Sequence, residues 1–241
     1  MHYIPIFSTL VTLGFAVAVF TRYLKRRHAH LLIWTIGLVF YGVGTLAEVF
    51  FGFQFSGLVL KAWYLAGAML TAAWLGQGTV HLLVRRHGVA TILTGILAAL
   101  SLLSAFLVFR APLSSAATAY QVAQPISSQY QDILIRSGPT IFLTILLNIY
   151  GTVALIGGAI YSAYIFLRKH VLVHRMIGNL FIAVGAMAPA LAGSFVRLGL
   201  PDLLYLSELA GAVLMYFGFI QATMAQVTEL APTTVADRPL G

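Results

Sequence analysis

The sequence predicts an all-α polytopic membrane protein: a bundle of seven transmembrane helices with its N-terminus outside and its C-terminus cytoplasmic. Three observations predict it. The 241-residue chain is 60% hydrophobic and only 8% charged, where a soluble domain carries about a quarter charged residues, and its mean hydropathy is +0.94. Seven apolar segments reach the ~20 residues that a bilayer-crossing helix needs. The basic residues gather in the short connections between those segments, which is how membrane orientation is encoded.

Taken in order, the expected spans are 4–23, 29–52, 57–84, 88–109, 139–167, 174–198 and 202–226, together one transmembrane domain over residues 1–226. The N-terminal Met1-His2-Tyr3-Ile4-Pro5 has no basic stretch, and no small-residue cleavage site follows, so the first apolar run reads as a retained helix rather than a signal peptide. The connections after the first, third and fifth spans and the C-terminal tail hold ten lysines and arginines, among them Arg22, Lys25, Arg85, Arg86 and Arg168. The opposite side holds four: Lys61, Arg110, Arg136 and Arg197. The richer side is expected to be cytoplasmic, which places the chain in the cytoplasmic (inner) membrane of a prokaryote. The one long connection, 110–138, lies outside; a connection of that length is a lid, a binding loop or a disordered segment. Residues 227–241, with Pro232 and Pro239, read as a flexible cytoplasmic tail with no effector domain attached.

The composition also excludes function classes. The chain has no cysteine, so disulfides, thiolate metal sites, iron–sulfur clusters and cysteine nucleophiles are absent. The net charge of +8 does not point to nucleic acid, because it resides in loops that set topology. Partners are instead the lipid bilayer and a second protein, or a further copy of this chain. Gly178, Gly185 and Ala192 in the sixth span, and Gly211 and Gly218 in the seventh, recur at heptad spacing, the pattern by which small residues let membrane helices pack closely.

Ionisable residues within a span are costly and mark sites by default. Glu48 and Glu208 sit about 6 Å and about 10 Å below the outer ends of their helices at 1.5 Å per residue. With Lys61 and Arg197, and ringed by Trp63, Tyr64 and Tyr205, they make an expected outward-facing ligand pocket. The alternative for Lys61 and Arg197 is that they snorkel to the interface, and a Glu48–Lys61 pair would be purely structural. Six of the seven histidines lie toward the cytoplasmic side. Of these His30, His81 and His174 are candidates for a metal or haem site, although no metal-type spacing accompanies them. Gln77, Asn148, Asn179, Gln221, Thr71 and Thr79 are polar residues inside spans that either line a cavity or bond between helices.

The run LLIWTIGLVFYGVGTLAEVF followed by LKAWYLAGAMLTAAWL carries Trp34, Tyr41, Glu48, Lys61 and Trp63. Over 29–85 it resembles the seven-helix sensor region of bacterial histidine kinases. The resemblance implies a region that binds a ligand or senses the state of the membrane. A kinase domain is lacking, so signalling would pass through a partner.

Three readings stay open at the level of sequence. One is a receptor-like sensor that takes a small or lipophilic ligand in its outward-facing pocket. The second is a structural or accessory subunit of a larger respiratory or photosynthetic complex. The third is a small-molecule transporter, suggested by a faint repetition of the basic, histidine-bearing turns before the second and sixth spans. No catalytic motif is present, no catalytic residue is named, and no spacing specifies a cofactor such as haem or a pigment.

Overall fold

A computed structural model of the chain describes residues 3–84, 86, 88–168, 173–197 and 202–229, with only the backbone of 166, 173–175, 190–197, 202 and 224–229. Among the described residues the fold is all-α. Helix α1 spans Ile4–Arg26, α2 Ala29–Phe51, α3 Gly57–Leu83, α4 Val89–Arg110 and the short α5 Ile126–Ile133. Helix α6 is built of Gly138–Thr152, Val153–Gly157 and Gly158–Arg168; α7 spans Val173–Arg197 and α8 Asp202–Glu229. Six of these, α1, α2, α3, α4, α6 and α8, are long and apolar enough to cross a membrane. Helix α7 coincides with the expected sixth span, but its described apolar stretch, Met176–Pro189, is shorter. Helix α8 runs on to Glu229, three residues into the expected tail, because nothing before Pro232 opposes the helix; residues 230–241 lie outside the described part.

Two helices are not regular. In α3 the stretch Tyr64–Leu70 is π-helical, and in α6 so is Val153–Gly157. Each π turn inserts an extra residue and frees a carbonyl from the α ladder. The Thr71 hydroxyl donates to the Ala66 carbonyl at 2.9 Å, and the Asn148 amide donates to the Ala68 carbonyl at 2.7 Å. The Ala66 carbonyl also takes the Thr71 backbone N–H, so side chains supplement the widened ladder, where a bare backbone group in lipid would be expensive.

Close approach holds the bundle together where lipid gives no hydrophobic drive between helices. A Cβ on Gly178 would stand 2.6 Å from the Gly218 carbonyl, and one on Gly185 2.9 Å from that of Gly211, so the heptad glycines form the α7–α8 seam. Gly151 of α6 lies directly on the Ala72–Ala73 backbone of α3, and Gly44 of α2 meets Gly67 of α3. Polar residues in the spans bond between helices. The Gln77 amide donates to the Ala90 carbonyl at 2.9 Å, Trp34 Nε1 to the Leu75 carbonyl at 3.0 Å, and Asn179 to the Ser162 hydroxyl at 2.8 Å, each contributing about 1 kcal/mol. Helix α2 is the most enclosed, with 56% of its apolar window buried, and α4 the least, at 17%, so α4 is a peripheral helix.

The connection 110–138 is ordered. A 3₁₀ turn over Ser115–Ala119 and helix α5 are tied back by a bridge between Leu113 and Leu134 and by the Ser114 amide on the Ile133 carbonyl at 2.9 Å. Ile126, Ile133 and Leu134 are buried beneath it, which anchors the connection to the ends of α2, α3 and α4.

Candidate functional site

A cavity of about 440 Å³ lies between α2, α3, α6, α7 and α8, with α5 over it. Helical spacing explains which residues reach it. On α2, Tyr41, Gly44, Thr45 and Glu48 occupy positions i, i+3, i+4 and i+7 of one face, and on α8 Leu204, Glu208 and Met215 share one face. On α3, Trp63, Gly67 and Thr71 line the wall through the π stretch; Asn148, Thr152 and Leu155 do so on α6, and Ala186 and Pro189 on α7. Ser127, Tyr130 and Gln131 of α5 form the roof, and Gln131 is exposed at its edge. Both π stretches and the only proline within a described helix interior, Pro189, thus border the same cavity.

Glu48 and Glu208 meet here. Glu48 is 4% exposed, and its Oε1 accepts a hydrogen bond from Trp63 Nε1 at 3.0 Å. Its Oε2, and Oε2 of Glu208, are buried without a hydrogen-bond partner. Both residues line the same cavity. The Tyr41 hydroxyl donates to the Glu208 backbone carbonyl at 2.8 Å, which fixes α2 against α8 at the level of the acids.

The structure separates the other expected pocket residues. Lys61 turns to α4 and donates to the Phe109 carbonyl at 2.9 Å, and it does not pair with Glu48. Two residues along a helix is a rotation of about 200°, so Lys61 and Trp63 cannot face the same way. Tyr64 is buried and shares a hydrogen bond of 2.8 Å with Thr144 outside the cavity. Tyr205 lines a smaller depression shared with Glu48, Pro5, Phe51 and Tyr120. The side chain of Arg197 lies outside the described residues. Sequence reasoning missed Ser127, Tyr130 and Gln131, because only the folding-back of the outer connection brings them over the bundle.

Tyr120 links that cover to α2. Its hydroxyl donates to the Phe51 carbonyl at 2.9 Å and its ring lies 5.1 Å from Phe55; partial burial pushes its phenol up to about 12. Arg136 stands over the rings of Tyr130 and Tyr64, at 5.0 Å and 5.9 Å. The two histidine candidates with described side chains each have other partners. His30 stacks on His28 at 5.6 Å and meets Trp34 edge-on, His81 Nε2 lies 2.7 Å from the Thr94 hydroxyl, and the side chain of His174 lies outside the described residues. Among the described residues no three His, Cys, Asp or Glu come together as metal ligands.

The fold and the apolar helices define the class: an all-α, membrane-integral helical bundle with a polar cavity inside it. Comparison of the chain with protein families, with curated proteins and with solved structures finds no match.

Proposed function

We propose that this chain is a seven-helix protein of a prokaryotic cytoplasmic membrane, N-terminus outside, that takes a small ligand into the cavity from the outer face and passes the event to a partner protein. The observation that carries this reading is the pair of carboxyl groups with buried, unpartnered oxygens on a cavity whose lining is mainly apolar with a few polar side chains. Buried polar groups without partners are rare in structures, and a pocket of a few hundred Å³ with a few converging polar groups is the usual form of a small-molecule site. The sensor resemblance over 29–85 is consistent with it, since Tyr41, Glu48 and Trp63 all line the cavity.

A second reading has one observation in its favour. Irregular backbone around a cavity deep in a bundle is how membrane transporters build substrate sites; α3 and α6 depart from regular geometry at this cavity, and α7 places Pro189 on it.

Thermal unfolding of the purified protein against a panel of small molecules tests the ligand reading. A ligand at about one hundred times its dissociation constant stabilises the folded state by about 2.7 kcal/mol. The midpoint is expected to rise with at least one ligand, and to stop rising in Ala68→Phe, which fills the cavity, and in Glu208→Ala. Equal shifts in wild type and both variants would move the site elsewhere.

A further inference from the structure

Resting on the cavity as the binding site, we infer that its ligand is an organic cation with an apolar body, and that the cation enters by displacing a proton shared between Glu48 and Glu208.

The chemistry of the two acids leads there. An ionised carboxylate only accepts hydrogen bonds. Two carboxyl groups with buried, unpartnered oxygens on one cavity, and no described cation paired to either, are too costly to keep both ionised, so the pair retains a proton and carries a single negative charge. Trp63 Nε1 already donates to Glu48 Oε1, and the Tyr41 hydroxyl is committed to the Glu208 backbone carbonyl. The pair is left with oxygens that lack donors. The described cations on surrounding elements are engaged elsewhere: Lys61 of α3 on the Phe109 carbonyl, and Arg136, beside α6, over the Tyr130 and Tyr64 rings. Tyr130 of α5 and Tyr205 of α8 are the other titratable groups around the two acids, while the side chains of Arg197 and Asp202 lie outside the described residues.

The rest of the lining specifies the ligand's body. Leu75, Leu155, Ile156, Leu204 and Met215 present hydrocarbon, and Tyr41 and Trp63 present aromatic surface next to the acids. A bare metal ion would leave this apolar volume unfilled. An alkyl- or arylammonium, or a phosphonium, matches both parts: weakly hydrated positive charge beside carboxylates and aromatic rings, and an apolar remainder in the cavity. The exchange balances. One cation binds, the shared proton leaves to the outer solution, and the site changes from one negative charge and a proton to two negative charges facing one positive.

The test uses the full chain in lipid nanodiscs with tetraphenylphosphonium as the cation probe and triphenylphosphine oxide as its neutral counterpart. The cation is expected to bind at least tenfold more tightly than the neutral probe. It should release close to one proton per cation bound, read with a pH indicator in weak buffer, and bind more weakly as the pH falls. Glu48→Gln and Glu208→Gln, which keep shape and hydrogen-bonding capacity, should each weaken it at least tenfold, and the double variant should release no proton. If a variant does not fold, the contrast in proton release between the two probes on the wild type decides alone. Equal binding of both probes without proton release, both lost in Ala68→Phe, would overturn the cation inference and leave the cavity reading intact. Binding of neither probe, with panel ligands still shifting wild type and not Ala68→Phe, would do the same.

Discussion

Glu48 shows how a single side chain organises the site. A short carboxylate about 6 Å inside a helix end cannot reach water by snorkelling, so it must find partners within the bundle; it finds Trp63, and it shares its cavity with Glu208. That much was legible: buried acids in spans mark sites, and Glu48, Trp63 and Glu208 stand out in the sequence. The expected cationic members were not legible in the same way. A lysine at a helix start has a flexible stem and several accessible carbonyls, and Lys61 takes the one on α4 rather than the acid on α2. Tyr120 offers a test at this scale. A phenol held up to about 12 by burial stays protonated in the fold beyond the pH near 10 at which a free tyrosine ionises. Its hold on the outer connection is therefore full below about pH 10 and is lost as the pH rises toward about 12. The chain has no cysteine, so Ala123→Cys with an environment-sensitive fluorophore reports the cover selectively. The fluorescence should step over that interval, and adding Tyr120→Phe should remove the step; a step that persists would belong to another group.

At the scale of elements, the regular helices were read well and the irregular ones were not. The α7–α8 seam follows from glycines at heptad spacing, because both helices keep α geometry there and the period translates directly into a face. The π turns of α3 and α6 leave no mark in hydropathy, and each rotates everything beyond it by an extra residue. In α3 that rotation sets Thr71, beyond the π stretch, on the cavity wall together with Trp63 before it. The contact that forces the two irregular helices together is Gly151 on the Ala72–Ala73 backbone. Gly151→Ala puts a methyl group into that backbone and should destabilise the protein by about 3 kcal/mol, the upper range for an overpacked site. Gly95→Ala on the peripheral α4, where a Cβ meets nothing within 4 Å, should stay within about 0.5 kcal/mol of wild type. Thermal midpoints of the two variants measured side by side check this, and similar midpoints would mean that α3 and α6 are not held by close approach at Gly151.

At the scale of the whole molecule, the fold class was readable because composition alone leaves a chain this apolar no soluble solution. A pocket holding Glu48 and Glu208 under the 110–138 connection was expected as well; its walls on α6 and α7 and its roof residues Ser127, Tyr130 and Gln131 were not, because they come together only where five helices and α5 meet. The account turns on that roof. If ligand enters from outside, the α5 side of the cavity faces outward and the basic turns face the cytoplasm. Single cysteines at Gln131, on the exposed edge of the roof, and at Arg86, in the turn after α3, report the two faces in an otherwise cysteine-free chain. The measurement is labelling of intact cells with a membrane-impermeant maleimide. The account predicts that Gln131→Cys is labelled at once and Arg86→Cys only after the membrane is opened. The reverse order would put the cavity mouth on the cytoplasmic side and contradict it.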